Sequence, residues 1–199
     1  MAIKTWPTSI YPESADVGLK QDVQRNRSRS GKTSTFEMPG AAWVMTLTFP
    51  DSSEWSGRPR LEALITSLRG GANRLSAPHF GRPYPNGTLS GVPVLASAVK
   101  AGNGMLSLKN CNGTLRAGDF IGLGGQLLMV ESDVAPVSGS MVVQVNPAVR
   151  LPQPVGTPIV WDRPHILWVL KEDEDPVKFP YRSGMYRPSF AIDLIEDWS

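Results

Sequence analysis

An α+β fold that is mainly β is predicted: an antiparallel β belt domain with one amphipathic helix, plus an inserted small β-barrel or sandwich domain. Three observations predict it. Gly 19 and Pro 18 among 199 residues favour many short strands joined by turns over a helical bundle. Residues 43–49 alternate cleanly, with Trp43, Met45, Leu47 and Phe49 on one face and Val44, Thr46 and Thr48 on the other, the period of a half-buried strand. Only residues 58–69 carry a good helical spacing, with Leu61, Leu64, Ile65 and Leu68 at i, i+3, i+4 and i+7.

Composition sets the outer bounds. Hydrophobic residues are 41% and charged residues 19%, which suits one large domain or two small ones with real cores. The formal net charge of +2 is too small to argue for nucleic acid by itself. The single cysteine, Cys111, excludes an internal disulfide framework and any multi-cysteine metal site. Two histidines, His79 and His165, argue against a His-rich metal centre. No apolar run approaches the roughly 18 residues of a membrane span, and residues 1–6 lack the apolar core of a signal peptide. The expected compartment is a reducing cytosol, or wherever a cytosol-made assembly ends up.

Along the chain, residues 1–35 are mostly polar, with Ile3, Trp6, Ile10 and Tyr11 as anchors broken by Pro7 and Pro12. Residues 20–32 carry Lys20, Arg25, Arg27, Arg29 and Lys32 against Asp22. A solvated hairpin arm is the plain reading, since charge runs usually face solvent. The sharper one is an arm that meets an acidic surface on a neighbouring subunit. Nucleic acid ranks third, because no aromatic residue interleaves the charges. The strand at 36–49 follows, ended by residues 50–53. In the helix, Ser56 or Gly57 is the candidate cap, Pro59 suits the first turn, and Gly70-Gly71 stops it.

Residues 72–90 read as a Pro/Gly-rich exit from the first domain. Three Asn-Gly pairs, 86–87, 103–104 and 112–113, read as tight hairpin turns, because a type I′ turn needs positive φ at both central residues. They suggest a meander of strands at 92–100, 105–109 and 115–120. Residues 115–119 look like a turn that delivers a strand, Gly124-Gly125 a hairpin tip, and 141–145 a half-buried strand. Strands at 159–161, 165–170 and 190–195 are expected to rejoin the sheet of residues 1–70, so that the β unit is an insertion.

The residues of reactive type form no convincing set. Cys111 lies in an expected turn, and neither histidine is near it in sequence, so it lacks the base a thiolate nucleophile needs. His165 reads as a hydrogen-bonded structural histidine. Residues 172–175, Glu-Asp-Glu-Asp, lack the spaced ligands and central glycine of a calcium loop and read as a solvated acidic tip. Gly122-Leu-Gly-Gly is too short for a phosphate loop. No catalytic, metal or cofactor site is expected.

The order of pieces resembles the small tail-tip proteins of long-tailed bacteriophages, and is similar to distal tail proteins. It rests on the Trp43 strand before a helix ending Leu-Arg-Gly-Gly (68–71), and on a Pro-rich exit to Leu-Arg-Ala-Gly-Asp (115–119). The hairpin Gly-Gly-Gln-Leu-Leu-Met-Val (124–130), the closing Val-Asn-Pro-Ala-Val-Arg (145–150) and a final pair of strands complete it. It covers residues 40–195 or so, through the order of elements and short glycine-containing phrases rather than a reactive motif. The resemblance implies a structural virion protein and not an enzyme, a homohexameric ring joining the tail tube to the central hub or baseplate. Residues 1–87 with 159–199 would be the ring-forming belt and 88–158 the peripheral domain. The implied partners are the chain itself, the tail tube protein and the hub or baseplate proteins, at the virion tail tip after assembly in the host cytoplasm. Neither a membrane nor sequence-specific nucleic acid binding is implied. The small size leaves no room for a large receptor-binding extension.

On that reading Trp43 and Trp168 fit the core, while Trp6, Trp55 and Trp198 lie in polar or terminal segments and suit a subunit interface. Lys20, Arg25, Arg27, Arg29 and Lys32 on one side, with Glu172 and Asp173 on the other, suit a charge-matched contact between subunits. Loss of residues 18–33 is expected to weaken assembly and leave the monomer folded. The alternative from another class is a binding module that recognises a cell-surface sugar or protein through residues 88–158. Phe120 is the only aromatic residue of that segment, which counts against a sugar-stacking platform. A cell-wall hydrolase is the third reading, and the sequence supplies no cluster for it.

Overall fold

Among the described residues, alternation and turn chemistry build twelve strands and one short α-helix, and the fold is α+β and mainly β. The computed structural model describes residues 2–51, 57–171, 177–181 and 188–197, with the side chains of 22 and 36–39 also outside the description. The chain divides into two units, one of residues 1–18, 44–83 and 163–199, the other of residues 19–43 and 84–162.

The first sheet has six strands in the order β1-β4-β11-β12-β3-β2. These are β1 (Ile3–Thr5), β2 (Ser14–Arg27), β3 (Thr33–Phe49), β4 (Arg74–Pro78), β11 (His165–Leu170) and β12 (Phe190–Glu196). β12 pairs antiparallel with both β3 and β11, and β11 with β4, so the two C-terminal strands rejoin the N-terminal sheet as expected. β1 pairs with β4 in parallel. The alternation at 43–49 holds: Trp43, Met45, Leu47 and Phe49 are all buried. Trp168 is fully buried and donates its indole N–H to the Ala77 carbonyl at 3.1 Å.

The helix α1 runs Arg58–Ser67, capped by Gly57, and buries Leu61 and Ile65, with Leu68 buried just past its end. Leu64 is only half-buried. Past the cap Leu68 the chain turns left-handed at Arg69, φ 50°, and stays so through Gly70 and Gly71, φ 62° and 95°, where glycine adopts such values at no steric cost.

The second sheet has the order β10-β7-β8-β9-β6-β5, with β5 (Val94–Leu95), β6 (Met105–Lys109), β7 (Phe120–Leu123), β8 (Gln126–Val130), β9 (Ser140–Asn146) and β10 (Ile159–Val160). Its two edges meet. Val94 bridges Pro158, and the N–H groups of Leu95 and Ile159 donate to the carbonyls of Thr157 and Pro93, each at 2.9 Å. The sheet therefore wraps into a nearly closed barrel, which leaves little open edge. Leu95, Leu106, Leu108, Leu128, Val130 and Val143 are among the residues filling it.

Several expectations are corrected. The meander of 92–100, 105–109 and 115–120 is not formed: β6 lies between β9 and β5, and β7 begins the run β7-β8-β9. The Asn-Gly pairs are not its type I′ turns. Neither Gly87 nor Gly104 has positive φ, and no asparagine of the three pairs does. Gly87 and Gly113 serve close approach instead. A Cβ on Gly87 would stand 2.1 Å from the Thr114 carbonyl oxygen, and one on Gly113 2.0 Å from that of Thr88. This lets Leu89 and Ser90 donate to Thr114 and Asn112 at 3.0 and 2.7 Å. The hairpin tip at Gly124-Gly125 is present, with φ of 57° and 85° between the paired Leu123 and Gln126.

One strand lies where none was expected, and one expected strand joins the other sheet. β4 lies in the expected Pro/Gly-rich exit, and its Leu75 and Ala77 are fully buried. Ile159 and Val160, expected to rejoin the first sheet, pair with Leu123 and Gly122 in the barrel. Residues 19–43 group with the second unit rather than with residues 1–18. The reason lies at the hairpin root. Trp43 donates its indole N–H to the Leu127 carbonyl at 2.9 Å and meets Phe120 edge-on at 5.1 Å, and the Arg150 guanidinium donates to the Ala41 carbonyl.

Candidate interaction surface

The expected basic arm is the hairpin of β2 and β3. Its loop, residues 28–32, is closed by the Ser28 N–H on the Lys32 carbonyl at 2.8 Å and the Gly31 N–H on the Ser28 carbonyl at 3.0 Å. Gly31 takes φ of 83°, and the Ser28 and Ser30 hydroxyls lie 2.8 Å apart. Strands joined by so short a loop must run antiparallel. Lys20, Arg25, Arg27, Arg29 and Lys32 are all exposed. Among the described residues the ion pairs are Arg58–Glu62, Arg74–Asp197 and Arg116–Asp133, and none involves the five arm cations.

The other expected interface residues are placed differently or not at all. Trp6 is corrected: it is a core residue, 5% exposed. Its indole N–H donates to the Ile10 carbonyl at 2.7 Å, and its ring stacks on Phe49 at 6.2 Å and meets Phe80 edge-on at 5.0 Å. Buried there, it offers almost nothing to a second subunit. Trp55, Glu172, Asp173 and Trp198 lie outside the described residues.

Residues of reactive type serve the fold. Cys111 is buried in the barrel core, where desolvation pushes its thiol up and away from the thiolate form. His79 is 3% exposed and accepts the Arg82 N–H on Nδ1 at 2.9 Å. Burial, with a smaller contribution from the Arg82 charge, lowers its pKa to about 4, so it is neutral at physiological pH. His165 is exposed at the start of β11, and its imidazole makes no hydrogen bond among the described residues, contrary to the structural role expected. Partial desolvation and then Arg163 lower its pKa. Among the described residues no group of three or more His, Cys, Asp or Glu is placed to hold a metal ion.

Two polar centres escaped the sequence reading. Asp119, 2% exposed, accepts the N–H groups of Asn86, Gly87 and Arg116 at 2.6, 3.1 and 2.8 Å, and so ties residues 86–87 to the turn before β7. Its only sequence signal was an acid immediately before an apolar strand. Arg58 is fully buried. It pairs with Glu62 at 2.9 Å, donates to the carbonyls of Pro188 and Pro180 at 2.6 and 3.0 Å, and lies over the Phe190 ring at 4.9 Å. It fastens the residues before β12 to the helix start.

No protein-family model matches the chain, and comparison with curated proteins gives no match either.

Proposed function

We infer that this chain is a structural, ring-forming virion protein of a phage tail tip, an adaptor between the tail tube and the hub or baseplate. One observation carries the reading alongside the sequence resemblance. The six-stranded sheet ends in two unlike strands, the 3-residue β1 and the 14-residue β2. An end strand presents a row of unpaired backbone groups that favour pairing with another chain. Two different edges on one subunit suit head-to-tail contacts, which close into a ring when the rotation permits. In that ring the first sheet is the belt, and the barrel is the peripheral domain. The function is then geometric, and no side chain acts chemically.

The experiment is the solution mass of the purified protein, with negative-stain images of the same fractions, alone and mixed with tail tubes. A closed ring of six with a central hole is the expected result. A monomer that stays monomeric even with tubes present overturns the reading. Nothing specific favours the sugar- or protein-binding alternative: Phe120, the single aromatic residue of 88–158, is buried.

A further inference from the structure

The arm separates charge from the rest of the molecule. Residues 19–35 hold five cations and one acid, a net of +4, whereas the whole chain is +2, so the remainder is net negative. No acid occurs from 23 to 35, and the five cations are exposed without ion pairs among the described residues. Arg25 and Arg27, two apart on β2, share a face of the ribbon, and Arg29 and Lys32 sit in the closing loop.

The intervening side chains decide what such a ribbon fits. They are amides and hydroxyls, including Gln21, Gln24, Asn26, Ser30 and Thr33, with Val23 the one apolar residue between 20 and 35. A protein partner engages aromatic and aliphatic anchors at the centre of its interface, and between residues 20 and 35 Val23 is the one such side chain. Guanidinium, ammonium, hydroxyl and amide donors are the set that contacts phosphate and sugar. A two-stranded β-ribbon also has the width that the major groove of DNA, about 12 Å across, admits. The missing aromatic residues argue against single strands, where bases must stack, and not against a duplex, whose bases are already stacked.

We propose that the β2–β3 hairpin is a docking arm for double-stranded DNA, sequence-independent, with Arg25, Arg27, Arg29 and Lys32 neutralising backbone phosphates. This goes beyond the adaptor reading and does not depend on it.

The test is fluorescence anisotropy of the full chain with a short labelled duplex of random sequence. Four phosphate contacts give a slope of log K on log salt of about −3.6, or roughly 10²-fold weaker binding at 200 mM than at 50 mM salt. A variant with Arg25→Ser, Arg27→Ser, Arg29→Ser and Lys32→Ser loses binding at least tenfold with an unchanged circular dichroism spectrum. Lys100→Ser with Lys109→Ser, exposed cations outside residues 19–35, stays within twofold. No binding at low salt, a native slope shallower than about −2, or equal losses in both variants overturns the proposal. Polyglutamate bound as tightly as the duplex at equal charge also overturns it, in favour of an acidic protein partner. The native slope does not rely on any variant folding.

Discussion

At the scale of single residues, burial decides what polar groups do. His79 would titrate near 6.5 in the unfolded chain, and in the fold near 4. Between those values the unfolded state binds the extra proton, so stability is full above pH 6.5 and falls as pH drops toward 4. The contribution is at most about 3 kcal/mol. Urea midpoints measured across this window are expected to fall with pH in the native protein and to flatten in His79→Gln. Asp119 is a stronger test of a single side chain. Asp119→Ala leaves three backbone donors unsatisfied and is expected to cost roughly 2–4 kcal/mol, with Asp119→Asn in between, read from equilibrium unfolding. Trp6 shows why a residue's position in a polar segment misleads. The segment around it is polar, but Pro7 and Ile10 turn the chain so that the ring lands on Phe49.

At the scale of elements, local chemistry and long-range approach use the same residue types. Gly124-Gly125 acts locally, as its sequence suggested, because two consecutive left-handed residues make a tight hairpin. Gly113 acts at a distance, against the Thr88 carbonyl. Gly113→Ala combines that clash with a φ of 88° and is expected to destabilise the chain by about 1–3 kcal/mol or more, measured by thermal unfolding. Gly31, whose Cβ would meet nothing within 4 Å, keeps only the smaller cost of its positive φ. In the helix, Leu61→Ala opens a cavity in a fully buried site and is expected to cost about 2–5 kcal/mol. Leu64→Ala, at a half-buried site, costs less.

At the scale of the whole molecule, the contrast is between a sheet with two open ends and a sheet whose ends nearly meet. The barrel closes through Val94 and Pro158, while the first sheet stops at β1 and β2. Removing residues 18–33 deletes most of the long edge and the arm together. Under the adaptor reading the ring is lost in negative stain while the monomer keeps its strand signal in circular dichroism. An unfolded deletion variant would contradict this. The arm charge variant keeps β2 and is expected to keep the ring, which separates edge pairing from DNA docking.

The sequence by itself determined what depends on neighbours along the chain. Period-two alternation located 43–49 and 141–145, period 3.6 located the helix, and paired glycines located one hairpin and the helix stop. It also marked the basic arm, because charge runs need no partner to be visible. Tertiary structure alone decided the rest. β4 is a strand because β1 and β11 flank it, and Ile159 is a barrel residue because Leu123 lies opposite. Residues 19–43 group with the barrel because Trp43 and Ala41 meet Leu127 and Arg150. Strand pairing and the burial of Asp119, Arg58 and His79 depend on groups tens of residues away. Local propensity carries no information about such contacts.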